Sequence, residues 1–123
     1  MIAGEVSDDR EASIRLVVRG PDGSELEVEL VIDTGFNGWI SLPSNLVSEL
    51  GLTWRRRGRG ELADGSETIF DIYEATIIWD GQLRRVWVDE IDASPLIGMA
   101  MLDGHVLTIE VWTGGNVTIA ARK

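Results

Sequence analysis

Apolar and polar residues alternate along several short stretches of this chain. In residues 25–32 every second side chain is aliphatic, and three glutamates lie between them. A period of two places one set of side chains on a buried face and the other in water, so this stretch predicts a strand with one wet face. Ile14, Leu16 and Val18 repeat the pattern, and residues 21–24 (Pro-Asp-Gly-Ser) predict the turn between the two strands.

Most of the remaining chain also has the character of short strands. Residues 43–50 predict a short helix that ends at Gly51, and residues 99–102 predict a second one. Asp80-Gly81 indicates a tight hairpin. Further strands are predicted at 39–42, on both sides of a turn at 63–66, and at 67–79, 82–91, 106–112 and 117–121. With no repeat or linker, the chain is predicted to be a single all-β domain over residues 1–123, a barrel or sandwich.

Composition narrows the kinds of function. The 123 residues have a net charge of −10, no cysteine and one histidine. The charge argues against nucleic acid and anionic membranes as partners. The missing cysteines exclude disulfides and thiolate catalysis, and we expect no metal and no cofactor. No apolar run reaches the roughly 20 residues of a membrane span, and no signal peptide is recognisable, so we expect a cytoplasmic protein.

Two surface features have alternative interpretations. Arg55–Arg59 resembles a nucleic-acid patch in isolation, but in so acidic a chain we interpret it as a solvated loop, with nucleic-acid binding as a distant alternative. The chain has five tryptophans, most of which we expect in the core or in a dimer contact.

The candidate chemistry lies in Asp33-Thr34-Gly35, directly after the strand at 25–32. Asp and Gly are common turn residues, so the tripeptide alone is weak evidence. Its context is more specific, because an apolar-apolar-Gly element, Leu96-Ile97-Gly98, precedes the second predicted helix. Between the two elements lies a hairpin with a small tip.

This combination resembles the retropepsin-like (retroviral-type) aspartic peptidases over about residues 12–120. The stretch from Asp33 to Pro43, with Phe36 after the glycine, looks especially like bacterial members of clan AA. The resemblance implies a retropepsin-like acid-protease barrel with a flap hairpin. It also implies an aspartic endopeptidase that works as a homodimer on peptide or protein substrates.

The resemblance assigns roles to the motif. Asp33 and its symmetry mate would activate a water molecule, since the chain has one Asp-Thr-Gly and a twofold dimer supplies the second carboxyl. Two carboxyls held close cannot both ionise cheaply, so they share one proton. Thr34 would hydrogen-bond across the twofold axis, and Gly35 would let the substrate backbone approach.

Substrate-binding residues follow from the same resemblance. Ala63, Asp64 and Gly65 would form the flap tip, and four other residues would contact substrate. These are Val31, Asn37, Gly38 and Leu96. The alternative is a catalytically silent peptide-binding or dimerisation module of the same fold.

Overall fold

The computed structural model describes residues 1–61 and 64–122. It is built mainly of strands, with two short helices. The strands are β1 (Ile2–Val6), β2 (Ala12–Arg19), β3 (Glu25–Ile32), β4 (Ile40–Leu42), β5 (Thr53–Glu61), β6 (Glu67–Trp79), β7 (Gln82–Glu90), β8 (Leu96–Ile97), β9 (His105–Ile109) and β10 (Asn116–Ala121). The helices are α1 (Ser44–Leu50) and α2 (Met99–Leu102). The prediction of an all-β fold with one or two short helices is confirmed.

The strands form one sheet that closes on itself. Their order is β5-β6-β7-β4-β8-β3-β2-β1-β10-β9, and an additional pairing of β6 with β2 closes six of them into a barrel. Strand β3 runs parallel to β8, and β4 runs parallel to β7. Because parallel strands end at the same edge of a sheet, the loops that follow β3 and β8 emerge side by side.

Alternation along the strands accounts for the core. Ile14, Leu16 and Val18 of β2 are buried, as are Val28 and Leu30 of β3, and all five belong to one hydrophobic cluster. Burial of each such aliphatic side chain contributes about 1.5–3 kcal/mol relative to exposure. The glutamates of β3 face water. The period of two therefore determines which face of each strand points into the barrel interior.

Helix α1 begins one residue later than predicted and ends, as predicted, before Gly51. Pro43 is its N-cap residue, and Gly51 at its end has φ 59°, in the left-handed region that glycine adopts without strain. The Gly51 N–H donates to Ser48 O, and Val47 and Leu50 are buried. The helix thereby packs its apolar face on the barrel and returns the chain to β5.

Three predicted boundaries or environments were wrong. Strand β1 was not predicted; it lies close to β2, where a side chain on Gly4 would come within 1.9 Å of Ser13 O. Strand β9 ends at Ile109, and residues 110–115 turn back to β10 instead of continuing the strand. The segment Arg55–Arg59 lies in β5 and not in a loop, because its backbone pairs with β6.

The five tryptophans differ widely in burial within the single chain. Trp79 alone is buried among them, and its Nε1–H donates to His105 Nε2 at 3.1 Å. Trp54, Trp87 and Trp112 are exposed, the last by 61%. Trp54 Nε1–H donates to Asp71 Oδ1 at 3.0 Å. Aromatic content therefore does not identify the core of this chain.

Two further observations concern only residues 1–61 and 64–122. No helix among them is long and apolar enough to cross a membrane. Within the same residues, no group of His, Cys, Asp and Glu side chains is arranged to hold a metal ion.

Candidate functional site

The Asp33 loop begins where β3 ends and is held first by β8. Asp33 N–H donates to Ile97 O at 3.0 Å, which extends the parallel β3–β8 pairing by one residue. The loop then turns on itself. Phe36 N–H donates to Asp33 O at 3.1 Å, and Gly35 N–H donates to Asp33 Oδ1 at 2.9 Å. The carboxylate is thus oriented by its own loop.

A second set of hydrogen bonds locks the loop to the segment that follows β8. Gly98 N–H donates to Trp39 O at 2.9 Å and Met99 N–H to Phe36 O at 2.8 Å. Gly98 is closely surrounded, since a Cβ there would lie 2.4 Å from Gly38 O and 2.6 Å from the Phe36 ring. Only glycine fits at this position, which explains physically the apolar-apolar-Gly element of the sequence.

The loop presents its functional groups outward. Asp33 is half-buried, while Thr34 and Gly35 are exposed. The Thr34 hydroxyl makes no hydrogen bond to any other residue in the described part of the chain. A lone carboxylate can accept a proton from water but has no acid beside it to donate one. Acid–base chemistry by a pair of carboxyls would need a second carboxyl from outside this loop.

A cavity of about 740 Å³ lies on one side of the loop. Its walls are the loop residues 35–38, the β5–β6 hairpin, and residues 89–92, which form the end of β7 and the start of the segment that follows it. Phe36 is part of the wall, and the hairpin contributes Arg59, Gly60 and Glu61 together with Thr68–Asp71. The cavity is large enough for a few residues of an extended peptide.

The predicted substrate-binding residues are divided between two places. Asn37 and Gly38 line this cavity. Val31 does not; with Thr34 it lines a separate cavity of about 280 Å³. Leu96 is the β8 partner of Val31 and is half-buried. The structure thus brings Asn37 and Gly38 together with the hairpin, and keeps Val31 and Leu96 apart from them within one chain.

Of the predicted flap tip, Asp64 and Gly65 lie between β5 and β6. Ser66 donates to Asp64 Oδ1 through its N–H at 2.9 Å and its hydroxyl at 2.6 Å, and these bonds hold the pKa of Asp64 below its usual range. Gly65 has φ 85°. Asp64 and Gly65 are exposed and outside the cavity wall, and Ala63 lies outside the described residues.

The cavity also contains an acidic residue that the sequence did not reveal. Asp89, near the end of β7, is half-buried in the wall, and burial raises its pKa to about 6 while Arg56 opposes the rise. Its place in the sequence, between Val88 and Glu90, resembles that of an ordinary surface carboxylate. Only the register of β7 on β6 brings it to the cavity.

Comparison with known proteins adds one finding. No family model matches the chain, and no curated protein matches it. Among solved structures it is similar to EIAV protease complexed with the inhibitor HBY-793. The match has a TM-score of 0.52 at 18% sequence identity and covers 76% of this chain and 86% of that protease. The chain has a retropepsin-like fold. At this identity the likeness establishes the fold alone.

The retropepsin-like fold of this chain carries exposed apolar side chains near Thr34. Ile109 and Val111 line the smaller cavity with Thr34. Val111 is 63% exposed and Trp112 is 61% exposed, both in the turn between β9 and β10. Exposed apolar side chains beside an outward-facing loop are typical of a protein interface.

Proposed function

We propose that the protein is a homodimeric aspartic endopeptidase. Each of the two copies contributes its Asp33, and the two carboxyl groups together activate the water that hydrolyses a peptide bond. One carboxylate takes a proton from the water, and the other, protonated, donates to the carbonyl oxygen. The Asp33 loop carries this proposal: it is rigidly held by β8 and α2, yet it turns its acidic side chain and Thr34 outward.

The twofold partner follows from the incompleteness of the site. A single chain offers one Asp-Thr-Gly, and an isologous dimer places two identical loops face to face. The Thr34 hydroxyl, without a partner among the described residues, would then hydrogen-bond across the axis. Val111, which lines the same cavity as Thr34, and its exposed neighbour Trp112 would be covered by the second copy. The finer assignment to the bacterial clan AA type rests on the stretch from Asp33 to Pro43.

Substrate would lie extended across the loop and beneath the β5–β6 hairpin. Asn37 and Gly38 would contact its backbone in the large cavity. Val31, which lines the smaller cavity, and its strand partner Leu96 would line side-chain pockets that the dimer completes. Residues 63–65 at the hairpin tip would close over the bound peptide and exclude water. The similarity to a protease that binds an inhibitor supports a peptide cleft in this fold.

The test is digestion of a proteome-derived peptide library by the wild type and by Asp33→Asn between about pH 4 and pH 8. Loss of the general base is expected to lower cleavage by at least about 10³-fold. Asp103→Asn is the matched control, because Asp103 also precedes a turn glycine and is exposed but lines neither cavity beside the Asp33 loop. Sedimentation velocity checks that both variants remain dimeric.

Two outcomes would contradict the proposal. Equal cutting by wild type and Asp33→Asn would show that the site is wrongly assigned. A dimer that binds library peptides but cleaves none at any pH would establish the silent peptide-binding module instead.

A further inference from the structure

The large cavity contains a carboxylate for which the fold gives no internal partner. Asp89 lies on the face of β7 that is turned away from the core residues Val86 and Val88. In the described part of the chain it accepts no hydrogen bond and forms no ion pair within 4.0 Å. No side-chain polar atom there is both sealed from solvent and unbonded, so the Asp89 oxygens open into the cavity.

The neighbours of Asp89 place it where a bound peptide would pass. It pairs with Ile72 of β6, so its side chain shares a face with the base of the hairpin. Its Oδ2 lies 3.2 Å from the position that a Cβ on Gly38 would occupy. The carboxylate therefore fills space beside the loop residue at which substrate backbone is expected to lie.

Charged groups reach this region from each element around it. Arg56 of β5 lowers the Asp89 pKa, but its guanidinium lies over the Trp87 ring at 5.8 Å and not in an ion pair with Asp89. Asp71 of β6 already has partners, the Trp54 indole and, at 3.9 Å, Arg57. The other charged residues of the wall are Arg59, Glu61, Glu90 and Asp92. Carboxylates thus outnumber cations around the cavity.

We propose that Asp89 is a specificity-determining residue of this cavity and selects a substrate side chain that carries a positive charge, lysine or arginine. The proposal rests on the proposed peptidase function, since it takes the cavity to be part of the peptide cleft. A desolvated carboxylate without an internal partner gains a charge-assisted hydrogen bond when such a side chain enters. An acidic side chain would instead add to the repulsion already present.

The selection should depend on pH in a definite direction. Because burial raises the pKa of Asp89 to about 6, the carboxylate is charged at pH 7.5 and mostly neutral at pH 5. A bound cation favours the charged form and lowers the pKa of the complex. The preference for lysine and arginine is therefore expected to be strong at pH 7.5 and weak at pH 5.

The experiment compares wild type, Asp89→Asn and Asp8→Asn on one proteome-derived peptide library at pH 7.5 and pH 5. Asp8→Asn removes the same charge from an exposed turn that is far from Asp89 in the sequence. Wild type and Asp8→Asn should show lysine or arginine enriched at one fixed position beside the cut at pH 7.5. Asp89→Asn should lose that enrichment by roughly fivefold to tenfold, as expected for one charged pair in a cleft, while still cutting.

A second arm keeps the inference testable apart from catalysis. The same library is captured on immobilised Asp33→Asn protein and on the double variant Asp33→Asn/Asp89→Asn, and bound peptides are identified by mass spectrometry. Basic peptides should be enriched on the first and not on the second. If wild type cuts nothing but this difference persists, the peptidase proposal fails and the specificity assignment stands. If the preference for basic residues is absent, or survives Asp89→Asn in both arms, the assignment is wrong.

Discussion

Asp89 should reduce the stability of the folded protein at neutral pH, and Asp89→Asn should therefore stabilise it. The side chain is half-buried, and burial raises its pKa from the ordinary value of 3.8 to about 6. Asparagine has nearly the same shape and no charge to desolvate. The substitution thus removes the electrostatic cost and keeps the packing against Gly38 and Ile72.

The sign and size of the effect follow from linkage between proton binding and folding. The folded state holds the Asp89 proton more tightly than the unfolded state, so stability falls as pH rises from about 4 to above 6. Each pKa unit corresponds to about 1.4 kcal/mol, which gives an upper limit of about 3 kcal/mol. The carboxylate is open to water on its cavity side, so we expect about 1 kcal/mol.

Urea denaturation at equal protein concentration measures the effect at pH 7.5 and pH 4, because dimer stability depends on concentration. Asp89→Asn should be about 1 kcal/mol more stable than wild type at pH 7.5, and the difference should be smaller at pH 4, close to the ordinary aspartate pKa of 3.8. Asp8→Asn, exposed in a turn, should stay within about 0.5 kcal/mol of wild type at both. Equal or lower stability of Asp89→Asn at pH 7.5 would refute the desolvation argument.

Two other predictions test the loop and the dimer. Gly98→Ala should lower the free energy of unfolding in urea by at least about 2 kcal/mol, because its methyl group would lie 2.4 Å from Gly38 O. Gly60→Ala, with no atom nearer than 3.3 Å, should lower it by less. Equal losses would refute the close-packing argument. Val111→Glu should raise the dimer dissociation constant by at least about tenfold in sedimentation experiments. Leu83→Glu, at a similarly exposed leucine, should leave it unchanged. An unchanged dissociation constant for Val111→Glu would exclude this surface as the interface.

Much of the barrel was predictable because it depends on local patterns. The alternation in β2 and β3 determines which side chains are buried, and Gly51 ends α1 as its sequence position indicates. Asp33-Thr34-Gly35 and Leu96-Ile97-Gly98 were both identified in the sequence as parts of one family pattern. Their parallel strands place them side by side, and hydrogen bonds between the segments then hold the loop.

The features that were missed depend on pairing between distant strands. Strand β1 is short and includes Gly4, a residue with low strand propensity. Glycine is required there because β2 approaches the backbone closely. The arginines of β5 look like a loop until β6 pairs with them and Glu74 bridges Arg55 and Arg85. Asp89 reaches the cavity only through the register of β7 on β6. No window of sequence contains that information.

Two features that are unfavourable for an isolated chain border the same loop. In the large cavity Asp89 is desolvated without an internal partner, and at the smaller one Val111, followed by Trp112, is exposed to water. Proteins retain such locally unfavourable groups where function requires them. A second copy would cover the apolar side chains, and a basic substrate would neutralise the carboxylate. The proposed dimer and the proposed specificity thus each explain a cost that the fold alone leaves unexplained, and the loop that both features border carries Asp33.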